Sequence, residues 1–185
     1  MTREEAWTLL TEYTPSESLR RHSLAVEAAM RHYARHFSEP EALWGLVGVL
    51  HDFDYERWPD PPDHTRKGAD ILRERGVDEI VVGAILSHAE WNLDAYPRDT
   101  RLRKTLFAVD ELCGFTTAVA LIRPDKLAGM TAKSVKKKMK QKSFAAAVSR
   151  DDITNGAELI ELSLDEHINH TIQALQSIAV DLDLT

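Results

Sequence analysis

The sequence predicts a single all-α domain, and three observations lead to that prediction. Apolar residues recur at steps of three and four in most segments, which is the period of a helix that buries one face. No segment shows the alternation of apolar and polar residues that a half-buried strand requires. Proline and glycine residues interrupt the periodic segments where helices would end, and neither a repeat nor an interdomain linker is visible.

Eight helices are predicted, each from its own apolar period and end signals. Ser16 and Asp63 can cap helices that begin directly after them, and Pro40 can begin another. The proline-rich segment 58–63 cannot be helical and forms a stiff loop, and Pro124 ends a long helix. In chain order the predicted helices cover 17–33, 40–50, 64–74, 77–88, 101–122, 134–141, 151–156 and 164–178.

Composition excludes several classes of function. The net charge of −7 argues against general nucleic-acid binding and against anionic membranes, because both need a basic surface. The single cysteine, Cys113, excludes an intramolecular disulfide and every cysteine-based zinc site. No apolar run approaches the ~20 residues of a membrane span, and the residues after Met1 lack the apolar region of a secretion signal, so we expect a cytoplasmic protein.

Histidine and aspartate residues fall on helix faces that periodicity predicts to be buried. His22 lies between Leu19 and Val26, and Asp110 follows Leu106 by four residues. Buried imidazoles and carboxylates are costly unless a cation or several donors satisfy them, and a metal ion is the economical candidate. Any one of the histidines could instead be a core residue that is hydrogen-bonded to a carbonyl. The candidate set is His22, His51, Asp52, His64, His88 and Asp110.

The pair His51-Asp52 closes the apolar stretch 41–50. Neighbouring positions on a helix diverge by about 100°, so both side chains reach one ion only at a helix end or a kink. The proline-rich loop that follows supplies such an end. His64, in the first turn of the next helix, could equally be exposed to solvent.

The order of these residues resembles that of the HD-domain superfamily of metal-dependent phosphohydrolases. The likeness extends over about 20–114, and the lysine-rich region and the terminal helix add a less specific likeness to bacterial HDIG-type hydrolases. It implies a single HD-domain helical bundle over 1–185, with a core at about 16–122 and a C-terminal helical extension at about 123–185. The segments around His64 and His88 look like those that supply a second metal in two-metal members.

The resemblance also implies which residues bind metal, with Asp52 bridging two ions. Nitrogen and oxygen donors without a thiolate suit Fe, Mn, Co, Ni or Zn, or Mg if the substrate phosphate contributes, and we expect one or two such ions. A divalent ion lowers the pKa of bound water towards about 7, so metal-activated water is the expected nucleophile. The ligands would be His22, His51, Asp52 and Asp110 for the first ion, and Asp52, His64 and His88 for the second.

The chain departs from the HDIG pattern directly after Asp52. Residues 53–56 read Phe-Asp-Tyr-Glu and not Ile-Gly-Lys, and no Gly-Tyr-Pro motif follows, which disfavours a cyclic-di-GMP phosphodiesterase of the HD-GYP kind. Asp52 and Asp54 are the candidate catalytic residues. Asp54 and Glu56 could be general acids or bases, could orient a metal ligand, or could be solvated loop residues, an alternative that is slightly favoured.

Positive charge concentrates in the lysine-rich segment, residues 133–142. This segment is either a solvated helix face or, with nearby basic residues, a surface that attracts a small phosphorylated substrate to the metal site. Two further basic residues lie just after His64, at positions 66 and 67, and are the other candidates for phosphate binding. The candidate substrate-binding residues are Arg66, Lys67, Lys126, Lys133 and Lys137.

The four remaining histidines are interpreted as surface residues. His32 and His36 have an i, i+4 spacing that is compatible with a metal, but they lie beside arginines on the polar side of their helix. His167 and His170 are interpreted in the same way. The four tryptophans are interpreted as packing residues of the core or of loops.

The sequence therefore predicts a metal-dependent phosphohydrolase that cleaves a small phosphate ester, with a nucleotide as one candidate. The first alternative is a diiron oxygenase, because some HD-fold proteins use the same six-ligand site with iron. The second is a catalytically silent module that binds a phosphorylated ligand for regulation. The intact ligand set speaks against the silent module, and the substrate and the oligomeric state cannot be read from the sequence.

Overall fold

The computed structural model describes residues 1–185 and contains nine α-helices and no strand, so the all-α prediction is confirmed. A short 3-10 helix, Glu90–Asn92, follows the fifth α-helix. None of the helices is long and apolar enough to cross a membrane. In chain order they are α1 (Arg3–Tyr13), α2 (Glu17–Phe37), α3 (Glu41–Leu50), α4 (Asp63–Glu74), α5 (Glu79–His88), α6 (Arg101–Leu121), α7 (Ala132–Met139), α8 (Arg150–Leu159) and α9 (Leu164–Ser177).

The first helix, α1, is absent from the sequence-based prediction although its start carries a readable signal. The Thr2 hydroxyl accepts the Glu5 N–H at 3.2 Å, and the Glu5 carboxylate accepts the Thr2 N–H at 2.7 Å. This reciprocal pair is a capping box, and Thr-x-x-Glu is its sequence signature. Apolar periodicity alone misses α1 because only a few of its residues are buried, among them Leu9 and Leu10.

A single hydrophobic cluster draws buried residues from every helix. Helix α2 is central, because it packs against α3, α6 and α9, while α6 also packs against α8. Helix α3 comes close to α2 at Gly48, where an added Cβ would lie 2.8 Å from the Cα of Glu27. Because Gly48 has no side chain, α3 can lie directly on α2, and this contact positions the end of α3.

His167 is fully buried, so its interpretation as a surface residue is wrong. It lies on the inward face of α9, four residues before the buried Thr171. Its Nε2–H donates to the carbonyl of Ala108 at 2.8 Å, and its Nδ1 accepts the Tyr33 hydroxyl at 2.6 Å. Both ring nitrogens are satisfied, which explains how a polar side chain occupies the core. Burial lowers the pKa of His167 to about 4, although the bond to the Ala108 carbonyl opposes the shift.

This buried imidazole predicts a loss of stability in acid. The folded-state pKa of His167, about 4, lies below the ordinary value of 6.5, so the unfolded chain binds the proton first. The contribution of neutral His167 to the free energy of unfolding is therefore complete above pH 6.5, and it is lost as the pH falls towards about 4. At about 1.4 kcal/mol per pH unit, the free energy of unfolding should fall by up to about 3 kcal/mol.

Urea unfolding of chelator-treated protein at several pH values measures this effect. The difference between the wild type and His167→Gln should shrink as the pH falls from 6.5 to 4, because Gln does not titrate in this range. The exposed His36 provides a matched control, and His36→Gln should keep the wild-type slope. A constant difference between the wild type and His167→Gln would contradict the prediction.

Candidate metal centre

The structure brings all six predicted metal ligands together. They come from the second turn of α2, the middle of α6, the residues that follow α3, the start of α4 and the end of α5. Within each of two groups, the potential ligand atoms all lie within 4.8 Å of one another, and Asp52 belongs to both groups. The first group is His22, His51, Asp52 and Asp110, and the second is Asp52, His64 and His88.

The Asp52 carboxylate presents one oxygen to each group. Its Oδ2 lies 3.5 Å from Nε2 of His51. Its Oδ1 lies 3.3 Å from Nε2 of His64 and 3.3 Å from Nε2 of His88. A carboxylate in this position can bridge two cations.

Asp110 completes the first group from α6. Its Oδ1 lies 3.0 Å from Nε2 of His22 and 3.5 Å from Nε2 of His51. The His51 side chain is fully buried, whereas the side chains of Asp52 and Asp110 are 19% and 23% exposed. The centre is therefore enclosed by the core on one side and open to solvent on the carboxylate side.

Hydrogen bonds to backbone carbonyls set the tautomer of two of the histidines. Nδ1 of His51 lies 2.8 Å from the Gly48 carbonyl, and Nδ1 of His88 lies 2.6 Å from the Ile85 carbonyl. Because a carbonyl can only accept, each Nδ1 carries a proton, and Nε2 of the neutral ring keeps its lone pair. That lone pair faces the Asp52 carboxylate, as a metal ligand requires.

Asp54 has the same orienting role for His64, and it is buried, so its interpretation as a solvated loop residue is wrong. Its Oδ1 lies 3.1 Å from Nδ1 of His64, and its Oδ2 accepts the N–H of Gly68 at 2.9 Å. An added Cβ at Gly68 would lie 2.9 Å from the Asp54 carboxylate, so glycine permits this approach. Glu56, in contrast, is exposed and accepts the N–H of Ser16 at 3.0 Å.

His64 enters the centre through a kink at the start of α4. The predicted cap at Asp63 is wrong, because its side chain caps nothing, and the backbone at His64 and Thr65 is not helical. Thr65 has φ 66° and ψ −36°, an unusual conformation for a β-branched residue that costs about 1–3 kcal/mol. The Asn92 side chain donates to the Thr65 hydroxyl at 2.8 Å and holds it. The kink turns His64 inward, so it is buried and not solvent-exposed.

Two buried polar atoms of the centre have no hydrogen-bond partner: Nε2 of His51 and Oδ1 of Asp52. A buried polar atom without a partner costs about 1–3 kcal/mol, so it needs an explanation. Divalent cations held by the two groups would satisfy both atoms. Imidazole and carboxylate donors fit Fe, Mn, Co, Ni or Zn equally well, so the residues fit a metal ion without selecting one.

The charges of the centre depend on one another. Burial alone would lower the pKa of His51, but Asp52 and Asp110 outweigh it and hold that pKa well above its ordinary value. Burial likewise opposes the charged form of His64, yet Asp52 and Asp54 raise its pKa to about 9. When no metal is bound, protons on His51 and His64 balance the carboxylates. A metal ion must displace those protons, so binding should release protons to solvent.

Two aromatic side chains that the sequence analysis did not assign to the site flank His64. The ring centroids of Tyr55 and Trp91 lie 5.1 Å and 6.0 Å from that of His64. Both residues are exposed, at 40% and 37%, which is unusual for large apolar side chains. Periodicity cannot find them, because one lies in a turn and the other in the 3-10 helix.

The candidate substrate-binding residues do not all lie in the same part of the structure. Arg66 lines a cleft of about 430 Å³ beside Trp91, and it donates to the Asn92 side chain at 2.8 Å. Lys67 is exposed next to Arg66. Lys133 lines a different concavity, between α7 and α9, which contains no predicted metal ligand.

Three other lysines of the C-terminal region have different surroundings. Lys136, a neighbour of Lys133, pairs with Asp165 at 2.5 Å. Lys137 is exposed. Lys126, which lies before α7, donates to the carbonyl of Leu121 at 3.3 Å.

Comparison with known proteins gives one family. A family model described as HD domain matches residues 19–114, which is more than half of the chain. The matched region contains all six candidate metal ligands. No curated protein and no solved structure matches this chain.

The contact between Asp54 and His64 predicts a selective loss of metal affinity. We expect Asp54→Ala to weaken binding at the group of Asp52, His64 and His88 by about 10–100-fold, because His64 loses the acceptor that orients its ring. Calorimetric titration of chelator-treated protein with Mn²⁺ measures this. The control is Glu56→Ala, which removes an exposed carboxylate two residues away and should leave the affinity unchanged. Equal affinities of the two variants would contradict the orienting role of Asp54.

Proposed function

The chain belongs to the HD-domain family, and on this basis we propose that it is a metal-dependent phosphohydrolase acting on a small phosphate ester. The observation that carries the proposal is the position of Asp52, whose two carboxylate oxygens face two separate groups of histidine nitrogens. The His and Asp residues of these groups could hold metal, and HD domains are commonly metal-dependent hydrolases.

We propose two divalent ions, with Asp52 shared between them. Support comes from the two partnerless buried atoms, because Nε2 of His51 belongs to the first group and Oδ1 of Asp52 faces the histidines of the second. When bound, divalent ions supply hydroxide at neutral pH by lowering the pKa of water, and they stabilise the charge that develops on the attacked phosphate. The proposed ligands are His22, His51, Asp52 and Asp110 for one ion and Asp52, His64 and His88 for the other.

The surrounding residues keep the histidines in a binding-competent form. The carbonyls of Gly48 and Ile85 and the carboxylate of Asp54 each hold a proton on a histidine Nδ1, which leaves Nε2 directed at the centre. Asp54 is buried, and both of its oxygens accept hydrogen bonds. Of the two carboxylates predicted to be catalytic, we therefore propose Asp52 as the residue of the reacting centre and Asp54 as a positioning residue.

The substrate phosphate would be held on the side of the centre that is formed by α4. Arg66 and Lys67 directly follow the kink at His64, and both are exposed. The exposed rings of Tyr55 and Trp91 offer contacts to the organic part of an ester, which supports a substrate with a planar group, such as a nucleotide.

The lysine-rich segment has less structural support as a substrate-binding surface. Lys133 lines a concavity that none of the candidate metal ligands shares. Lys136 is already paired with Asp165. Arg66 and Lys67 are therefore the preferred candidates for phosphate binding. Steady-state kinetics can distinguish them from the lysine-rich segment.

The proposal is tested by metal analysis together with a phosphatase screen over nucleotides and sugar phosphates. Asp52→Ala should lose bound metal and phosphatase activity, and it should also be less stable, because it leaves buried imidazoles unpaired. The control is Asp60→Ala, an exposed carboxylate of the following loop, which should behave as wild type. Full metal content in Asp52→Ala would contradict the ligand assignment. Oxygen consumption by iron-loaded protein that is inactive on every ester would indicate an oxygenase.

Steady-state kinetics on a confirmed substrate should distinguish the two basic surfaces. Lys67→Gln should raise KM more than it lowers kcat, because a contact made equally in substrate and transition state affects mainly binding. The effect should weaken as ionic strength rises, since salt screens exposed charges. The triple variant Lys133→Gln, Lys136→Gln, Lys137→Gln serves as the comparison and should keep the wild-type KM. The opposite pattern would assign the phosphate to the lysine-rich segment.

A further inference from the structure

The eight histidines of the chain form two groups of four. One group supplies the candidate metal centre, and the other lies where α2 meets α9. His32 follows His22 on α2 by ten residues, which is about 15 Å along a helix axis, so the groups are separate. The members of the second group are His32, His36, His167 and His170.

Three of these imidazoles meet at the surface. Nε2 of His32 lies 2.8 Å from Nδ1 of His170. The ring centroids of His36 and His170 are 4.6 Å apart. His36 is exposed, whereas His32 and His170 are half-buried, so an ion can reach this group from solvent. The fourth member, His167, takes no part, because both of its nitrogens are already bonded in the core.

The separation of the ring nitrogens of His32 and His170 is close to that of a metal site. Tetrahedral zinc holds imidazole nitrogens at about 2.0–2.1 Å, which puts two such nitrogens about 3.3 Å apart. The nitrogens of His32 and His170 would need to part by only about half an ångström from their 2.8 Å separation. His36 lies one helical turn from His32, and its exposed side chain can rotate towards the pair.

The local chemistry also suits a cation. A hydrogen bond between two imidazoles requires a lone pair on one of them, so at least one ring of the pair is neutral. The two arginines adjacent to these histidines are both paired, Arg31 with Glu27 at 2.9 Å and Arg35 with Glu41 at 2.6 Å, which reduces their repulsion of a bound ion. Neutral imidazole donors favour Zn²⁺, Ni²⁺ and Cu²⁺ over Mg²⁺ or Ca²⁺.

We propose that His32, His36 and His170 form an additional binding site for a divalent transition-metal ion, separate from the candidate catalytic centre. The ion would join α2 to α9. Helix α2 lies almost wholly within the region that matches the HD domain, and α9 lies outside it. Metal at this site would thus fasten the C-terminal helix to the domain and stabilise the folded chain, since a ligand that binds only the folded state raises its stability.

Zinc stoichiometry of the full-length protein tests this site. Equilibrium dialysis against Zn²⁺ followed by elemental analysis should find one ion fewer per chain in the double variant His36→Gln, His170→Gln than in the wild type. The same difference of one ion should persist when both proteins also carry Asp52→Ala. That second comparison makes the result independent of the proposed hydrolase centre. The matched control is Asn169→Gln, a change at an exposed neighbour on α9 that should bind as wild type.

Thermal unfolding provides a readout that does not depend on activity. Zn²⁺ should raise the Tm of Asp52→Ala, and it should have a smaller effect once His36 and His170 are also replaced. If the double variant is unstable, the single change His36→Gln at an exposed position can replace it. Equal zinc content with and without these histidines, in both backgrounds, would overturn the proposal.

Discussion

The shared carboxylate of Asp52 is the constraint on which the rest of the site depends. Its side chain faces His51, His64 and His88, which belong to three different segments of the chain. A carboxylate in this setting needs compensating positive charge, since an unpaired buried charge is strongly destabilising. Protonated imidazoles can supply that charge, and so can divalent metal. The stability of the fold is therefore linked to the cations that the centre binds.

The fold uses backbone features to hold the ligands around that carboxylate. Gly48 lets α3 approach α2 closely, and its carbonyl then orients His51 at the end of α3. Gly68 lets the Asp54 carboxylate reach the backbone of α4, and Asp54 orients His64. Thr65, in the kink at the start of α4, adopts an unfavourable backbone conformation that a hydrogen bond from Asn92 stabilises. Strain of this kind is typical of sites where geometry serves function.

The C-terminal helices are part of the same core and not an appendage to it. His167 of α9 reaches Ala108 of α6 and Tyr33 of α2, which joins three helices through one buried imidazole. Ala108 stands two residues before Asp110, so α9 supports the segment of α6 that carries a candidate ligand. The histidine group at the surface, which includes His32 and His170, lies along the same junction of α2 with α9.

The sequence by itself determined the helical class and most helix limits, because the apolar period is a local property, and the resemblance in residue order indicated the six candidate ligands. It could not determine that His167 is buried or that Asp54 faces inward, since burial of a polar side chain depends on partners distant in sequence, such as Ala108 for His167. The kink at Thr65 was likewise invisible, because no local signal favours a strained β-branched residue, and Asn92 stabilises it only after folding. Only the tertiary structure decided which oxygen of Asp52 faces which histidines, since that geometry arises where three segments meet.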